Sequence, residues 1–527
     1  MCSLPPDQRI ANAAAVLSGR YGDVSRRAAA SGTPRQALYR DTPRVLAAVE
    51  GTAARQQLLA LQEHGDRLRR RVAFLEEQLG QAVVLDADRQ AHFAATAQAE
   101  GVSLPVARRL LAVFQGQRAP SVATLGRLTH ARARRAAELL QVLDEHSRGH
   151  VEQAAADEIF FGRQPCLMVV EQPSLCWVAG RLAAHRDGDE WAREFRLLPQ
   201  LKQLSRDGGT GLAKGLALVN AERQRQERPT VADQEDHFHV LREGTRALRR
   251  MQGRVSRLMD KAEQAEARER KKVRKTWSRQ GVATATARAW RTAERALDDW
   301  SRAERAWAEV SEAMRLFTPS GELNPRGRAE AAIAVALPAL SGSEWDKARR
   351  ALSRPELLTF LDQAAARLAT VPVADEPNAA AVRQAAVEVE GLRRQPAALR
   401  GEGARAATLR GVLLAAGLVL ALSGEAGARA LAQVRQVLGG VWRASSLVEC
   451  INSVARMQQS RHRRMTQGLL DLKRLYWNCR EFRTGKRKKR TPYELLGLSL
   501  PTTDWWELLK LSPEQLRQQL SAPEVAA

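Results

Sequence analysis

Apolar positions along this chain follow two rhythms, one helical and one strand-like. Residues 9–48 show helical spacing in short pieces. Val24–Ala30 predicts one helix, Gly32 a turn, and Pro34 the first position of the next helix. Arg35, Gln36, Tyr39 and Arg40 then share one side of that second helix, the outline of a helix-turn-helix whose second helix could enter a major groove. Over 55–80, Leu61, Leu68, Val72, Leu75 and Leu79 stand at near-heptad spacing, interrupted by Gly65. This predicts a short coiled-coil stripe, serving either a dimer seam or packing within the chain. Residues 90–145 give a further helical set. A helix from Gly101–Ser103 carries Arg108 and Arg109, a turn follows at Pro120-Ser121, and a helix with Arg127, Arg132, Arg134 and Arg135 comes next. It is a second helix-turn-helix candidate.

The rhythm changes at about residue 151. Val151–Phe161, Cys166–Val170 and Leu175–Ala183 are short apolar runs separated by Gly and Pro, and they predict antiparallel hairpin strands. Asp189–Leu198 predicts a helix. Leu201–Ser205 predicts a strand ending at Arg206-Asp207-Gly208-Gly209, Gly211–Gln226 a helix, and Val231–Val240 another short strand. The predicted order is β-β-β-α-β-α-β. From 241 to 444 no alternation remains. Trp277, Trp290, Trp300 and Trp307 lie on long Arg/Glu-rich helices at near-multiples of the helical repeat, which predicts core packing. Residues 371–378 read as a linker, and 445–480 as one amphipathic helix or two in tandem.

Composition narrows the class. The chain has 527 residues and a formal net charge of +24, with 44% apolar residues, enough for folded cores. Cys2, Cys166, Cys176, Cys450 and Cys479 form no CxxC pair, which excludes a disulfide scaffold and a zinc ribbon. The longest apolar run, Gly411–Leu422, is about a dozen residues where a bilayer span needs roughly 20, so no membrane role is expected. The opening MCSLPPDQRI carries no secretory h-region, and the expected location is the prokaryotic cytoplasm, with the nucleoid. Such a charge favours a polyanion, most simply double-stranded DNA. Arg461–Arg490 holds 12 Lys/Arg against Asp471 and Glu481, interleaved with Tyr476, Trp477 and Phe482. Within it, Arg461, Arg463, Arg464, Lys486, Arg487, Lys488 and Lys489 are candidate backbone contacts, beside Arg35 and Tyr39 of the first helix-turn-helix.

Three acids stand out by position. Asp157 lies in the first strand (ADEIFF), Asp207 just past a later strand (SRDGGTG), and Glu449 on the late helix (SSLVECINSVAR). Hard oxygen ligands brought together from such places can hold two Mg²⁺ or Mn²⁺ ions for in-line attack on a phosphodiester. Asp236, in EDHFH, competes with Asp207 for the second place. It lines the site or positions a phosphate together with His237 or His239, while packing alone also accounts for His239. Glu158 should point to the opposite strand face from Asp157. Asn452 and Arg456 share the face of Glu449, so Arg456 could meet a phosphate. No Walker A string, HExxH or Cys–His arrangement is present.

These strings, with LMVVEQPSLCWVAGRL, EDHFHVLRE and the late Glu-x-x-Asn-x-x-x-Arg helix, resemble the DDE-type transposases of bacterial insertion sequences. The resemblance implies an α+β chain whose RNase H-like mixed-sheet core is interrupted by a large all-α insertion. It divides the chain into a helix-turn-helix-like DNA-binding region (1–145), a first core part (146–240), the insertion (241–444), the last core helix (445–485) and a basic tail (486–527). It also implies a metal-binding catalytic triad of Asp157, Asp207 and Glu449. The activity implied is Mg²⁺-dependent cutting of element ends and joining to target DNA, by a homodimer or higher oligomer. An RNase H-like nuclease or resolvase, or a non-catalytic DNA-binding derivative of a transposase, are the alternatives.

Overall fold

The computed structural model of the chain describes residues 4–49, 53–81, 85–272, 279–372, 378–400, 402–459 and 465–521. Two compact units emerge, Met1–Asp86 and Ala87–Ala527.

The first unit holds α1 (Pro6–Leu17), α2 (Asp23–Ser31), α3 (Arg35–Val49) and α4 (Ala53–Gln81). Helix α2 ends at Gly32 in the left-handed conformation, φ 63°, where a side chain would be strained. Leu38 of α3 is fully buried, and Arg35, Gln36, Tyr39 and Arg40 are exposed, as the helix-turn-helix outline requires. Along α4, Leu61, Leu68, Val72 and Leu75 are all exposed, so this part of the heptad stripe is not covered by the described residues of its own unit.

The second unit begins with α5 (Ala87–Ala99), α6 (Leu104–Gln115) and α7 (Val122–Ser147). Then come β1 (Gln153–Phe161), β2 (Gln164–Glu171), β3 (Trp177–Leu182), α8 (Gly188–Arg196), β4 (Gln203–Arg206), α9 (Thr210–Arg225) and β5 (Ala232–Glu235). This is the element order expected from the sequence. The five strands form one mixed sheet in the order β3-β2-β1-β4-β5. β1–β2 and β2–β3 are antiparallel, while β1–β4 and β4–β5 are parallel.

Long helices follow: α10 (His237–Lys272), α11 (Arg279–Ala313), α12 (Arg326–Ala336), α13 (Asp346–Leu352), α14 (Thr359–Ala369), α15 (Ala379–Arg393), α16 (Pro396–Arg400), α17 (Ala404–Leu422) and α18 (Gly424–Gly439). They share a separate core around Trp307, Trp345 and Phe360. Residues 373–377 of the expected linker and Trp277 lie outside the described residues. The chain returns to the sheet through α19 (Ser446–Gln459) and α20 (Gln467–Cys479), the tandem form of the late helix. It closes with α21 (Pro492–Leu496), α22 (Trp505–Lys510) and α23 (Pro513–Ser521).

Strand periodicity explains the two sheet faces. Ala154 and Ala156 of β1 join one core with α7, α8, α9 and α20. Ala155 and Ile159 join another with Val448, Ile451 and Ala455 of α19. β2 is buried on both faces, hence its unbroken apolar run. Helices α8 and α9 cross closely because Gly215 is small; a Cβ there would stand 2.6 Å from that of Trp191.

Three expectations need correction. Residues 1–145 are not one region: the chain divides after Asp86, and Leu139, Leu140, Val142 and Leu143 of α7 belong to the sheet core. The second helix-turn-helix candidate is therefore tied down, with Arg132 of α7 bonded to Asp88 (3.2 Å) and 4.7 Å from the Trp506 ring. Residues 486–527 are not a simple basic tail, since Tyr493, Trp505, Trp506, Leu508 and Leu516 are buried in that same core. The helix that carries the Gly411–Leu422 run is longer than the run itself. Helix α17 spans 19 residues and is long and apolar enough to cross a membrane by length and composition alone. It packs on α15 and α18 with Ala406, Leu409, Ala416 and Leu420 buried.

Candidate active site

Asp157 lies on the same face of β1 as Ala155 and Ile159, so it faces α19. Ala156 pairs with Arg206 across the parallel β1–β4 ladder. Asp157 and Asp207 are each one residue beyond that pair. The turn after β4 holds Asp207 in place, with its Oδ1 accepting from the Gly209 N–H at 2.9 Å. Glu158 points to the other face, where it pairs with Arg186 at 2.5 Å.

Asp207 acts on Asp157. Burial first, and next the Asp207 carboxylate, push the Asp157 carboxyl up to about 7, against the opposing pull of the Glu158 N–H and of His239. Asn452 of α19, fully buried, donates from Nδ2 to Asp157 Oδ2 at 2.6 Å. Its own Oδ1 is buried with no hydrogen-bond partner.

Asp236 has the opposite environment. It follows β5, and its N–H donates to the Arg206 carbonyl at 2.7 Å. Its carboxylate accepts from the Phe238 N–H (2.7 Å), from Ser445 Oγ (2.5 Å) and from His239 Nδ1 (2.8 Å). Burial alone would raise its pKa, but the His239 and Ser445 hydrogen bonds outweigh it and hold the carboxyl below its ordinary value. In return the Asp236 bond raises His239 above the usual histidine range. His239 Nε2 is 3.4 Å from Glu449 Oε1. Next door, the His237 N–H and ring Nδ1 both meet the Arg443 carbonyl (3.1 and 2.9 Å), and burial, then Arg443, pushes this histidine down to about 4.

The structure thus links Asp157 to Asn452, Asp207 and His239, and His239 in turn to Glu449, while Asp236 and His237 tie the start of α10 to the approach of α19. The triad does not stand as a ready metal cage: among the described residues no three His, Cys, Asp or Glu side chains gather at metal-holding spacing. The physical reason is visible in the contacts. Two half-buried like charges repel, Asn452 occupies one oxygen of Asp157, and Glu449 leans on His239 instead. The donor set still suits a hard cation, with the Asp157 carboxyl pushed up by burial and by Asp207 and an unpartnered amide oxygen beside it.

Arg456 is exposed on α19. Arg461, Arg463 and Arg464 lie outside the described residues. The 486–489 run is only partly a free surface. Arg487 donates to the carbonyls of Gln172 and Pro173, both at 2.8 Å, and Lys486 stands 5.5 Å from the Trp442 ring. Lys488 and Lys489 are exposed. Sequence reasoning missed Ser445 and Arg443. A serine just before a helix start was the available signal for the first; the second acts through its backbone, which leaves no side-chain signature.

Compared with family models, with curated proteins and with solved structures, the chain shows no significant match to any of them.

Proposed function

We propose that this chain is a DDE-type DNA transposase that cuts element ends and joins them to target DNA by Mg²⁺-dependent phosphodiester hydrolysis and transesterification. One observation carries the reading. Asp157 and Asp207 stand side by side on adjacent parallel strands, under α19, in a sheet of order β3-β2-β1-β4-β5. That order is the one expected of an RNase H-like core, and the +24 charge supplies affinity for a DNA backbone.

Asp157, Asp207 and, by turning from His239, the half-exposed Glu449 would hold Mg²⁺ or Mn²⁺. When bound, the metal supplies activation of a water or 3′-hydroxyl and stabilisation of the leaving oxygen. The protein's own groups do the rest. Asn452 orients Asp157, and the Gly209 N–H orients Asp207. His239 keeps a proton on Nδ1 toward Asp236 and presents Nε2 to Glu449. Asp236 acts as a positioning residue. The exposed face of α3, with Arg35 and Tyr39, would meet the element end in the major groove, with the nucleoid in the cytoplasm as its setting. Leu61, Leu68 and Leu75 on exposed α4 would pair two copies as a coiled coil. Leu68→Glu should then halve the solution mass without unfolding the chain.

The test is cleavage, with Mg²⁺ or Mn²⁺, of a duplex carrying the gene's own flanks. Wild type should nick and join it; Asp207→Asn should do neither yet bind DNA as before, because affinity comes from other surfaces. A second reading, a non-catalytic DNA-binding derivative, draws on Glu449 resting against His239 rather than beside the aspartates. An inert wild type would favour it. Cutting without joining would favour a nuclease or resolvase.

A further inference from the structure

The role of the helical insertion is not given by the acids themselves, but its helix α13 lines a groove with His239 and with Gly208, the residue after Asp207. Trp345, just before α13, is fully buried, 5.5 Å from Trp307, and donates to Met251 Sδ at 3.1 Å. Ala348 and Leu352 are buried on the same side. The opposite side carries Lys347 and Arg350, both exposed. Just past the helix, Arg354 pairs with the buried Glu235 at the end of β5 (2.7 Å), and Gln234 donates to the Leu357 carbonyl at 3.0 Å. These two bonds fix α13 to the edge of the sheet. The cations are thereby held at a set place in a groove of about 250 Å³ that Gly208 and His239 also line. The Arg354 guanidinium comes close over Gly208, so a side chain at position 208 would displace it.

The charges in the groove do not cancel. Glu235 is matched by Arg354, and Glu243 by Arg246 at 2.7 Å. No carboxylate pairs with Lys347 or Arg350 among the described residues; Arg350 donates only to the Asp346 carbonyl, at 3.2 Å. Two unmatched cations three residues apart on a helix have Cβ atoms about 5–6 Å apart, from which long side chains can reach neighbouring phosphates of one strand.

We propose that α13 is a phosphate-binding arm of the catalytic cleft: Lys347 and Arg350, with Arg354 as their anchor, hold the backbone of a nucleic-acid strand passing His239 and Gly208 toward Asp157 and Asp207. The proposal rests on the reading of that cleft as a site of DNA cleavage. It gives the insertion a direct part in substrate binding.

The test uses the full chain and a fluorescent duplex of the gene's own flanks, titrated with KCl. Three proteins are compared: wild type, Lys347→Ala/Arg350→Ala, and the control Arg405→Ala/Arg429→Ala, with equal charge loss on α17 and α18, which line no part of this groove. Losing two phosphate contacts should lower the slope of log K against log salt by about 1.8. The control should lower it far less. Where wild type cleaves, the groove variant should raise KM with kcat largely kept, unlike Asp207→Asn. Because Lys347 and Arg350 are exposed, melting temperatures should match. Equal slopes in all three proteins, or an equal fall in the control, would overturn the proposal while leaving the cleavage reading intact. A fall confined to the groove variant in a chain that cuts nothing would remove the cleavage reading and keep the phosphate contact. A wild type that binds no DNA would overturn both.

Discussion

Asp157, half-buried, and Asp236, fully buried, are carboxylates at the end of the same sheet, and their surroundings are opposite. Asp236 has three strong donors, one of them the histidine whose charge it favours; Asp157 has one amide, one backbone N–H and a second carboxylate pressing on it. The first is a finished structural network and the second an unbalanced one. Satisfied buried charges stabilise and specify a fold, while unbalanced ones store energy that a ligand can release. The difference favours the proposal of Asp207 over Asp236 as second acid: both oxygens of Asp236 accept hydrogen bonds, whereas Asp207 lies close enough to Asp157 to press on its charge.

The comparison breaks most readily at Asp236. Asp236→Ala would strand His239, Ser445 and the Phe238 N–H together, and should cost about 3–5 kcal/mol in urea unfolding. A loss under about 1 kcal/mol would make the network decorative. Asp157→Asn should act in the reverse direction. Its carboxyl is raised in the fold, to about 7 from 3.8, so its share of stability is full below pH 3.8 and is lost as pH rises through 7. At pH 8 without metal the variant should exceed wild type by on the order of 2–4 kcal/mol, and the gap should close toward pH 4. Glu171, pushed up to about 7 by burial, slopes the same way, so the difference between the two proteins, not the wild-type curve, reports Asp157. Asp236, held low, keeps its contribution above 3.8 and loses it only as pH falls through its depressed value. Adding Mg²⁺ or Mn²⁺ at about 100 times its Kd should stabilise wild type by about 2.7 kcal/mol in a thermal melt, and Asp157→Asn hardly at all. The smallest effect belongs to Asn452→Ala, about 0.5–1.5 kcal/mol at pH 6, the net value of one hydrogen bond.

Much of this layout is legible in the sequence where one physical signal acts alone. Period-two alternation separates Asp157 from Glu158, and the Gly-Gly turn places Asp207 at a strand end. Legibility fails where helices are amphipathic in one way but packed in another. The Arg-rich surface of α7 suggests a DNA reader, yet Leu139–Leu143 is a near-continuous apolar run that fills the sheet core. Trp505-Trp506 argues against a solvated tail, since a paired indole needs cover; Trp506 indeed stacks on His92 at 4.4 Å. The cations of α13 carry no motif at all. Their meaning comes from the anchor to β5, a contact between residues 119 apart.

The outer edge of β3 is sealed by side chains rather than by another strand. Asn478 takes the Trp177 N–H at 2.8 Å and returns a bond to its carbonyl at 3.0 Å; Gln467 does the same for Leu182 and Gly180, at 2.9 and 2.8 Å. These amides occupy the places a sixth strand would take, which closes a route to edge-to-edge aggregation. They also arrive late, since 301 residues separate Trp177 from Asn478. At about 5–20 residues per second, the β1–β3 meander would wait roughly 15–60 s on the ribosome before its cover is made. Throughout that interval the nascent sheet has an open border at β3. The helices synthesised in between have time to fold on their own core first, so the order of manufacture favours a chain whose insertion matures before its catalytic centre closes.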